Sequence, residues 1–305
     1  MLVYTSYEEA KERTPYCIAL GSFDGVHLGH QKLIEMAVNK SKELDCNSMI
    51  YTFLNHPKKV LLPDCSPEII TLNSKRINIF KSLGINAVFF ENFQNIMDME
   101  AETFIKEILV SKFDIKCAVA GYNFSFGSKK DGDAETLLKY GAKYGFEVFI
   151  VDAVKIKENI VSSSLIREMI KSGKVSEVKD YLGRNFSIHG QVVHGMKNGG
   201  KIGIRTANLD IDRDLVMPKP GVYFTNTVVN NNIYKSVTNI GMNPTFNGRK
   251  ITIETHIIDF NGDLYGKDIE VVFLQWKREE RMFSNVNELK IQVIDDINSR
   301  LKLNK

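Results

Sequence analysis

Two histidines three positions apart, His27 and His30, stand inside the string Gly21-Ser22-Phe23-Asp24-Gly25-Val26-His27-Leu28-Gly29-His30. The apolar run Tyr16–Leu20 before it reads as a buried strand, and the spacing of Gln31-Lys32-Leu33-Ile34-Glu35-Met36-Ala37 after it reads as a helix. Histidines so spaced at a helix start share one face, beside unpaired backbone N–H groups and the positive end of the helix dipole. Gly21, Gly25 and Gly29 let a ligand approach the backbone closely, with Phe23 and Asp24 in the same turn. The combination suits a polyphosphate whose oxygens accept hydrogen bonds from imidazoles.

Further polar clusters follow other strand-like runs. Thr52-Phe53-Leu54-Asn55-His56-Pro57 ends one, and there His56, in a loop before proline, reads as a structural residue. Gly121-Tyr122-Asn123-Phe124-Ser125-Phe126-Gly127 follows another. It reads either as a flap, with Phe124 or Phe126 against a flat aromatic ligand and Asn123 hydrogen-bonding, or as an aromatic-anchored surface loop. Ser162-Ser163-Ser164-Leu165-Ile166-Arg167 opens a predicted helix. An N-cap accounts for one serine, whereas three serines with an arginine one turn on suit a phosphate.

In the second half, Gly203-Ile204-Arg205-Thr206-Ala207-Asn208 follows a glycine turn. If this stretch is extended, Thr206 and Asn208 project to one side, as hard oxygen ligands for Mg²⁺ beside ATP phosphates. Thr-x-Asn alone is common and equally reads as ordinary structure. In Ile251-Thr252-Ile253-Glu254-Thr255-His256-Ile257, strand alternation places Ile251, Ile253 and Ile257 on one face and Thr252, Glu254 and His256 on the other. Glu254 is then either a base oriented on a rigid strand or part of a solvated polar face.

The elements that must position these residues fall into two styles. Candidate strands Tyr16–Leu20, Ser48–Leu54, Ala87–Phe90, Cys117–Ala120 and Glu147–Val151 alternate with helical patterns at Leu28–Glu43, Ser74–Ser82, Ala101–Ser111 and Ala134–Tyr144. This predicts a parallel α/β sheet covered on both faces, with ligands beyond the carboxyl ends of its strands. After the helical stretch Val175–Leu182, strands such as Ser187–Val193, Val222–Val229 and Ile269–Phe273 are separated by Asn-Gly turn signals. They predict an antiparallel barrel or sandwich, closed by a helix near Val286–Ser299. The expected domains are 1–183 and 184–305.

Composition narrows the function classes. Forty basic residues against 37 acidic ones leave a net charge of +3, too small to call for nucleic acid. The four cysteines, Cys17, Cys46, Cys65 and Cys117, show no metal-ligand spacing. The N-terminus lacks a secretory pattern, and no apolar run approaches membrane-spanning length. A cytoplasmic protein without a membrane partner is expected; the residues carry no signal for oligomeric state.

The longer string GSFDGVHLGHQ resembles the FAD synthetase branch of the nucleotidylyltransferase superfamily, found in bacterial bifunctional riboflavin kinase/FMN adenylyltransferases. Ser162–Arg167 is similar to the family's SSTxIR element, with Ser164 in place of threonine. Tyr181–Phe186, the stretch to Asn208, Pro220–Tyr223, Asn239–Phe246, Glu254 and Asp259–Gly266 resemble its riboflavin kinase domain. The resemblance implies a Rossmann-like N-terminal domain, a C-terminal β-barrel, and ATP and Mg²⁺ used to convert riboflavin to FMN and FMN to FAD. It implies catalytic roles for His27, His30, Arg167 and Glu254. It gives ATP or phosphate contacts to Gly21, Phe23, Asp24, Gly25, Gly29, Ser162, Ser163, Ser164, Gly203, Thr206 and Asn208, the last two also holding metal. Flavin contacts fall to Asn123, Phe124, Phe126, Arg278 and Phe283. Where the family usually reads Pro-Thr-Ala-Asn, this chain has Arg205, and Gly200 stands where a basic residue is common. An adenylyltransferase with a weakened kinase is therefore the alternative, ahead of a non-catalytic flavin- or nucleic-acid-binding protein.

Overall fold

The computed structural model describes residues 1–10, 14–62, 65–194, 204–245 and 248–303. These form two compact units, Met1–Ser163 and Ser164–Lys305. The change of sequence style at 183/184 comes after two helices that group with the second unit.

The first unit contains β1 (Leu2–Tyr4), β2 (Tyr16–Leu20), α1 (Leu28–Glu43), β3 (Asn47–Phe53), α2 (Pro57–Leu61), α3 (Asn73–Ser82) and β4 (Ala87–Glu91). There follow α4 (Ala101–Thr103, continued by a π-helical stretch Phe104–Val110), β5 (Ile115–Gly121), α5 (Ala134–Tyr144), β6 (Glu147–Val151) and the short pair β7 (Lys155–Ile156) and β8 (Asn159–Ile160). Six strands pair in parallel in the order β1-β4-β3-β2-β5-β6.

Period-two alternation builds a core on each face of this sheet. Ile18, Leu20, Met49, Tyr51 and Phe89 pack with Phe104, Leu109, Phe113 and Leu137 on one side. Cys17, Ala19, Ile50, Val88 and Val119 pack with Leu33, Ile34, Ala37 and Phe80 on the other. Because all six strands run one way, their carboxyl ends share one edge. The chain leaves central β2 for β3 on one side and later returns to β5 on the other, so β2/β5 is the point where strand order reverses. Such points are where open α/β sheets hold ligands, and the histidine string begins there.

The second unit contains α6 (Ser163–Lys171, its first residue in the first unit), α7 (Val175–Leu182), β9 (Ser187–Val193), β10 (Ala207–Asp210), β11 (Gly221–Val229), β12 (Asn232–Thr245), β13 (Gly248–Ile257), β14 (Asp268–Arg278) and α8 (Val286–Lys302). Its six strands close antiparallel as β10-β13-β12-β11-β14-β9, a barrel and not a sandwich. Tyr223, Phe273 and Phe186 fill part of the interior. Beside them runs a fully buried hydroxyl chain, Thr227–Ser236–Thr225–Thr238–Thr255, with O···O distances of 2.7–2.9 Å. Each hydroxyl satisfies the next, so the polar core carries little desolvation cost.

Helix α8 lies on the outside, Ile297 and Leu303 covering Val222, Phe224 and Val237. Two buried charges fasten it. Arg300 donates to the Thr225 carbonyl at 3.0 Å, and buried Asp296 takes Arg278 Nη2 at 2.7 Å.

Candidate active sites

In the first unit His27 is the N-cap of α1, and its Nδ1 accepts from the His30 N–H at 3.2 Å. An accepting Nδ1 carries no proton, so in the neutral ring the proton sits on Nε2. That tautomer leaves Nε2–H as a donor. The His27 and His30 rings stack at 3.6 Å between centroids, 15° from parallel, and Phe23 lies 5.1 Å from His30.

The turn carrying them departs from ordinary backbone. Phe23, Gly25 and Val26 have φ of 50°, 81° and 40°. A β-branched residue at positive φ is an outlier that needs outside restraint. The restraint comes from buried side chains. Asp24 accepts from the N–H groups of Ile70 (2.9 and 3.2 Å) and Thr71 (3.3 Å). Ser163 Oγ donates to the Asp24 carbonyl at 2.9 Å. Arg76 Nη2 donates to the Ser22 carbonyl at 2.7 Å and to Thr52 Oγ1 at 2.6 Å, and Thr52 Oγ1 reaches the same carbonyl at 2.9 Å. Burial pushes the Arg76 guanidinium down to about 10, against the pull of the Asp24 charge.

The glycines and aromatics are placed by the same packing. A Cβ on Gly29 would lie 3.1 Å from His27 Cε1, so glycine is what lets the imidazole lie against the helix start. Phe23 is wholly buried, supporting His30 from below. Phe124 and Phe126 stack on each other at 5.4 Å and lean on the sheet core, while Asn123 and Tyr122 are exposed. His56 caps α2 through Nδ1, accepting from Lys58 N–H at 3.1 Å. The structure thus brings Ser163 to the histidine turn. Ser164 and Arg167 follow on α6, within the second unit, Ser164 exposed and Arg167 half-buried.

In the second unit, pairing sets the second constellation. Asn208 of β10 and Asn239 of β12 both stand opposite Glu254 of β13. Residues directly opposite on adjacent strands point to the same face, here the outside of the barrel, because Thr255 beside Glu254 points into the hydroxyl chain. The Thr206 hydroxyl lies beside the Glu254 carboxyl. Burial raises the Glu254 pKa, the nearby Glu280 charge adds to it, and the Thr206 hydroxyl opposes it. Glu280 is held by Asn239 Nδ2 at 2.9 Å. Gly203 lies outside the described residues.

Residues 9–165 match the model of the FAD synthetase family, and residues 182–303 that of the riboflavin kinase family. A bifunctional riboflavin kinase/FMN adenylyltransferase of Buchnera aphidicola subsp. Schizaphis graminum is 34% identical over 92% of this chain and 91% of its own. Its namesake from Bacillus subtilis is 33% identical over 94% and 92%. The chain belongs to the bifunctional riboflavin kinase/FMN adenylyltransferase family. A crystal structure from Streptococcus pneumoniae, described as a macrolide-efflux protein, superposes with a TM-score of 0.90 at 30% identity over 99% of both chains. Among the described residues here, no helix is long and apolar enough to cross a membrane.

Within this kinase/adenylyltransferase chain, Arg278 and Phe283, to which the resemblance gives flavin contacts, have partners in the chain itself. Arg278 forms a bidentate pair with Asp296 and also donates to the Glu279 carbonyl, and Phe283 lies under the Arg281 guanidinium at 4.7 Å. Arg76 and Glu280 reach the sites through folding, whereas Asn239 and His256 stand in stretches that the sequence already marks.

Proposed function

We infer that this chain phosphorylates riboflavin to FMN with ATP and adenylylates FMN to FAD with release of pyrophosphate, the first step on residues 184–305 and the second on residues 1–183. What carries the reading is that two separate family matches each enclose one separate constellation of polar residues.

In adenylyl transfer, an oxygen of the FMN phosphate attacks the α-phosphorus of ATP, and the bond to the bridging oxygen of pyrophosphate breaks. The nucleophile is already an anion, so no base is needed. What needs stabilising is negative charge on the α-phosphate and the leaving group. The Nε2–H that the N-cap tautomer gives His27, with His30 beside it, suits that task. The start of α1 adds its unpaired N–H groups. Gly21, Gly25 and Gly29 shape the turn; Phe23 and Asp24 act beneath it; Ser162, Ser163, Ser164 and Arg167 are assigned to phosphate binding, and Asn123, Phe124 and Phe126 to the flavin.

In phosphorylation, the neutral ribityl hydroxyl must lose its proton as its oxygen attacks the γ-phosphorus, with ADP leaving. Glu254 is the base, and its raised pKa strengthens it as a proton acceptor. Thr206 and Asn208 present a hydroxyl and an amide carbonyl, hard neutral oxygens that fit Mg²⁺ shared with nucleotide phosphates. Among the described residues no group of three or more His, Cys, Asp or Glu could hold a metal, so this ion would depend on the nucleotide for its anionic ligands. When bound, it screens phosphate charge. Arg278 and Phe283 belong to the proposed flavin side. The substrates are small molecules; neither nucleic acid nor a membrane is required, and free cysteines suit the cytoplasm.

Incubation of purified protein with riboflavin and ATP-Mg²⁺, followed by chromatography, is expected to yield FMN and then FAD. His27→Ala or His30→Ala should abolish FAD while FMN accumulates. Glu254→Gln should abolish FMN from riboflavin yet leave FMN-to-FAD conversion intact. A wild type that makes FAD from FMN but no FMN from riboflavin would make the chain a monofunctional adenylyltransferase, the outcome that Arg205 favours.

A further inference from the structure

The ladder between β10 and β13 runs from Leu209↔Ile253 through Asn208↔Glu254 and stops at Ala207↔Thr255. Thr206, the residue whose hydroxyl lies beside the Glu254 carboxyl, therefore sits one step beyond the last rung, without the pairing that fixes Asn208. One step further along β13 stands His256, two residues from Glu254 and on the same outer face. Its Nδ1 lies 2.8 Å from the carbonyl oxygen of Arg205, the residue before Thr206. A carbonyl only accepts, so Nδ1 is the donor, in the neutral ring and in the imidazolium alike. The Arg205 side chain is exposed; its carbonyl is the part that His256 holds.

We propose that His256 is a positioning residue for riboflavin phosphorylation, its imidazole holding the main chain at Arg205 so that the Thr206 hydroxyl stays against Glu254 and beside the Asn208 oxygen. The proposal rests on the assignment of phosphorylation to this face of the barrel. It differs from a role for His256 on substrate: the ring acts on its own chain, through one nitrogen. Without that bond, the described segment entering β10 has ladder pairing only from Ala207 onward. Thr206 then samples positions away from the base, and both nucleotide binding and proton transfer lose a partner.

Three variants separate this from a general loss of stability. His256→Ala removes the donor. His256→Asn places an amide N–H close to where Nδ1 was, and His256→Gln places one closer to Nε2. The Ala and Gln variants are expected to lose about tenfold in kcat/KM for riboflavin phosphorylation, roughly the worth of one hydrogen bond, and the Asn variant to recover most of it. Affinity for ADP-Mg²⁺ by calorimetry should follow the same order. Conversion of FMN to FAD should stay at the wild-type rate in all three. Backbone amide exchange across residues 204–209 should be faster in His256→Ala and near wild type in His256→Asn.

Wild-type phosphorylation by His256→Ala, or an Asn variant as poor as the Ala variant, overturns the proposal. A wild type that forms no FMN instead overturns the functional assignment. The exchange measurement then still judges the geometry, and unchanged exchange in His256→Ala refutes it.

Discussion

In the first unit the candidate histidines stand at a turn and helix start beyond the ends of parallel strands; in the second, Asn208, Glu254 and Asn239 stand on the strands themselves. The loop solution needs positive φ at Phe23, Gly25 and Val26, at a cost of roughly 1–3 kcal/mol for each strained non-glycine residue. Thr52, Ile70 (through Asp24), Arg76 and Ser163 converge on that turn from far along the chain to offset it. The strand solution needs no such convergence. Register alone sets Asn208, Glu254 and Asn239 side by side. A clamp appears only where register ends, at Arg205. Helix starts offer unpaired donors for phosphates but leave the turn to be held by side chains, whereas ladders position side chains and offer few free backbone groups.

Arg76→Met tests that contrast most severely. It removes the donor shared by Ser22 and Thr52 from a buried site, and should lower the unfolding free energy of the first unit by about 3 kcal/mol. FAD formation from FMN should fall more than about a hundredfold, the outcome expected when catalytic groups lose their positioning. Riboflavin phosphorylation in the same preparation should hold within about twofold, as expected when the altered residue shares no partner with the second site. A parallel collapse of both activities would mean that the clamp is not local to the turn.

Gly29→Ala is a milder break at the same place. Its Cβ would press on the His27 ring, which must shift by a few tenths of an ångström. A drop of about tenfold in FAD formation with an unchanged melting temperature is expected, a misplacement effect rather than a folding one. No change would show that the ring position tolerates slack.

Glu280→Gln sharpens the other side and has the smallest effect. Burial and then the Glu280 charge raise the pKa of Glu254, so removing that charge lets it fall. The base is active when deprotonated, so the acid limb of the pH profile of phosphorylation should move to lower pH, with the plateau little altered. Sign and linkage agree. A raised carboxyl pKa in the folded state costs stability as pH rises through that range, so the variant should also lose less stability on going from acid to neutral pH. A limb that stays fixed would place the titrating group elsewhere.

The elements themselves were legible because hydrophobic period is local. Tyr16–Leu20, Leu28–Glu43, Ala134–Tyr144, Glu147–Val151, Val175–Leu182 and Ser187–Val193 form with the bounds their patterns predict. Leu2–Tyr4 carries too little pattern in three residues to predict a strand, and it becomes one only by pairing with β4. The pattern over 101–111 predicts a helix but not its π-helical turns, which leave the apolar spacing almost unchanged. Composition could not separate barrel from sandwich, since both use the same short alternating strands; closure of the ring needs β14 to pair with β9 from far along the chain.

The sequence by itself determined which residues are candidates for the chemistry, because imidazole, carboxylate and hydroxyl types at helix-start and strand spacings are visible one residue at a time. Only the tertiary structure decided what holds them. Arg76 meets Ser22 across 54 residues, Ser163 meets Asp24 across 139, and His256 meets Arg205 across 51. Such contacts arise when separate elements pack, and no local period encodes them. The docking of α8 likewise gives Arg278, to which the resemblance assigns a flavin contact, its partner Asp296.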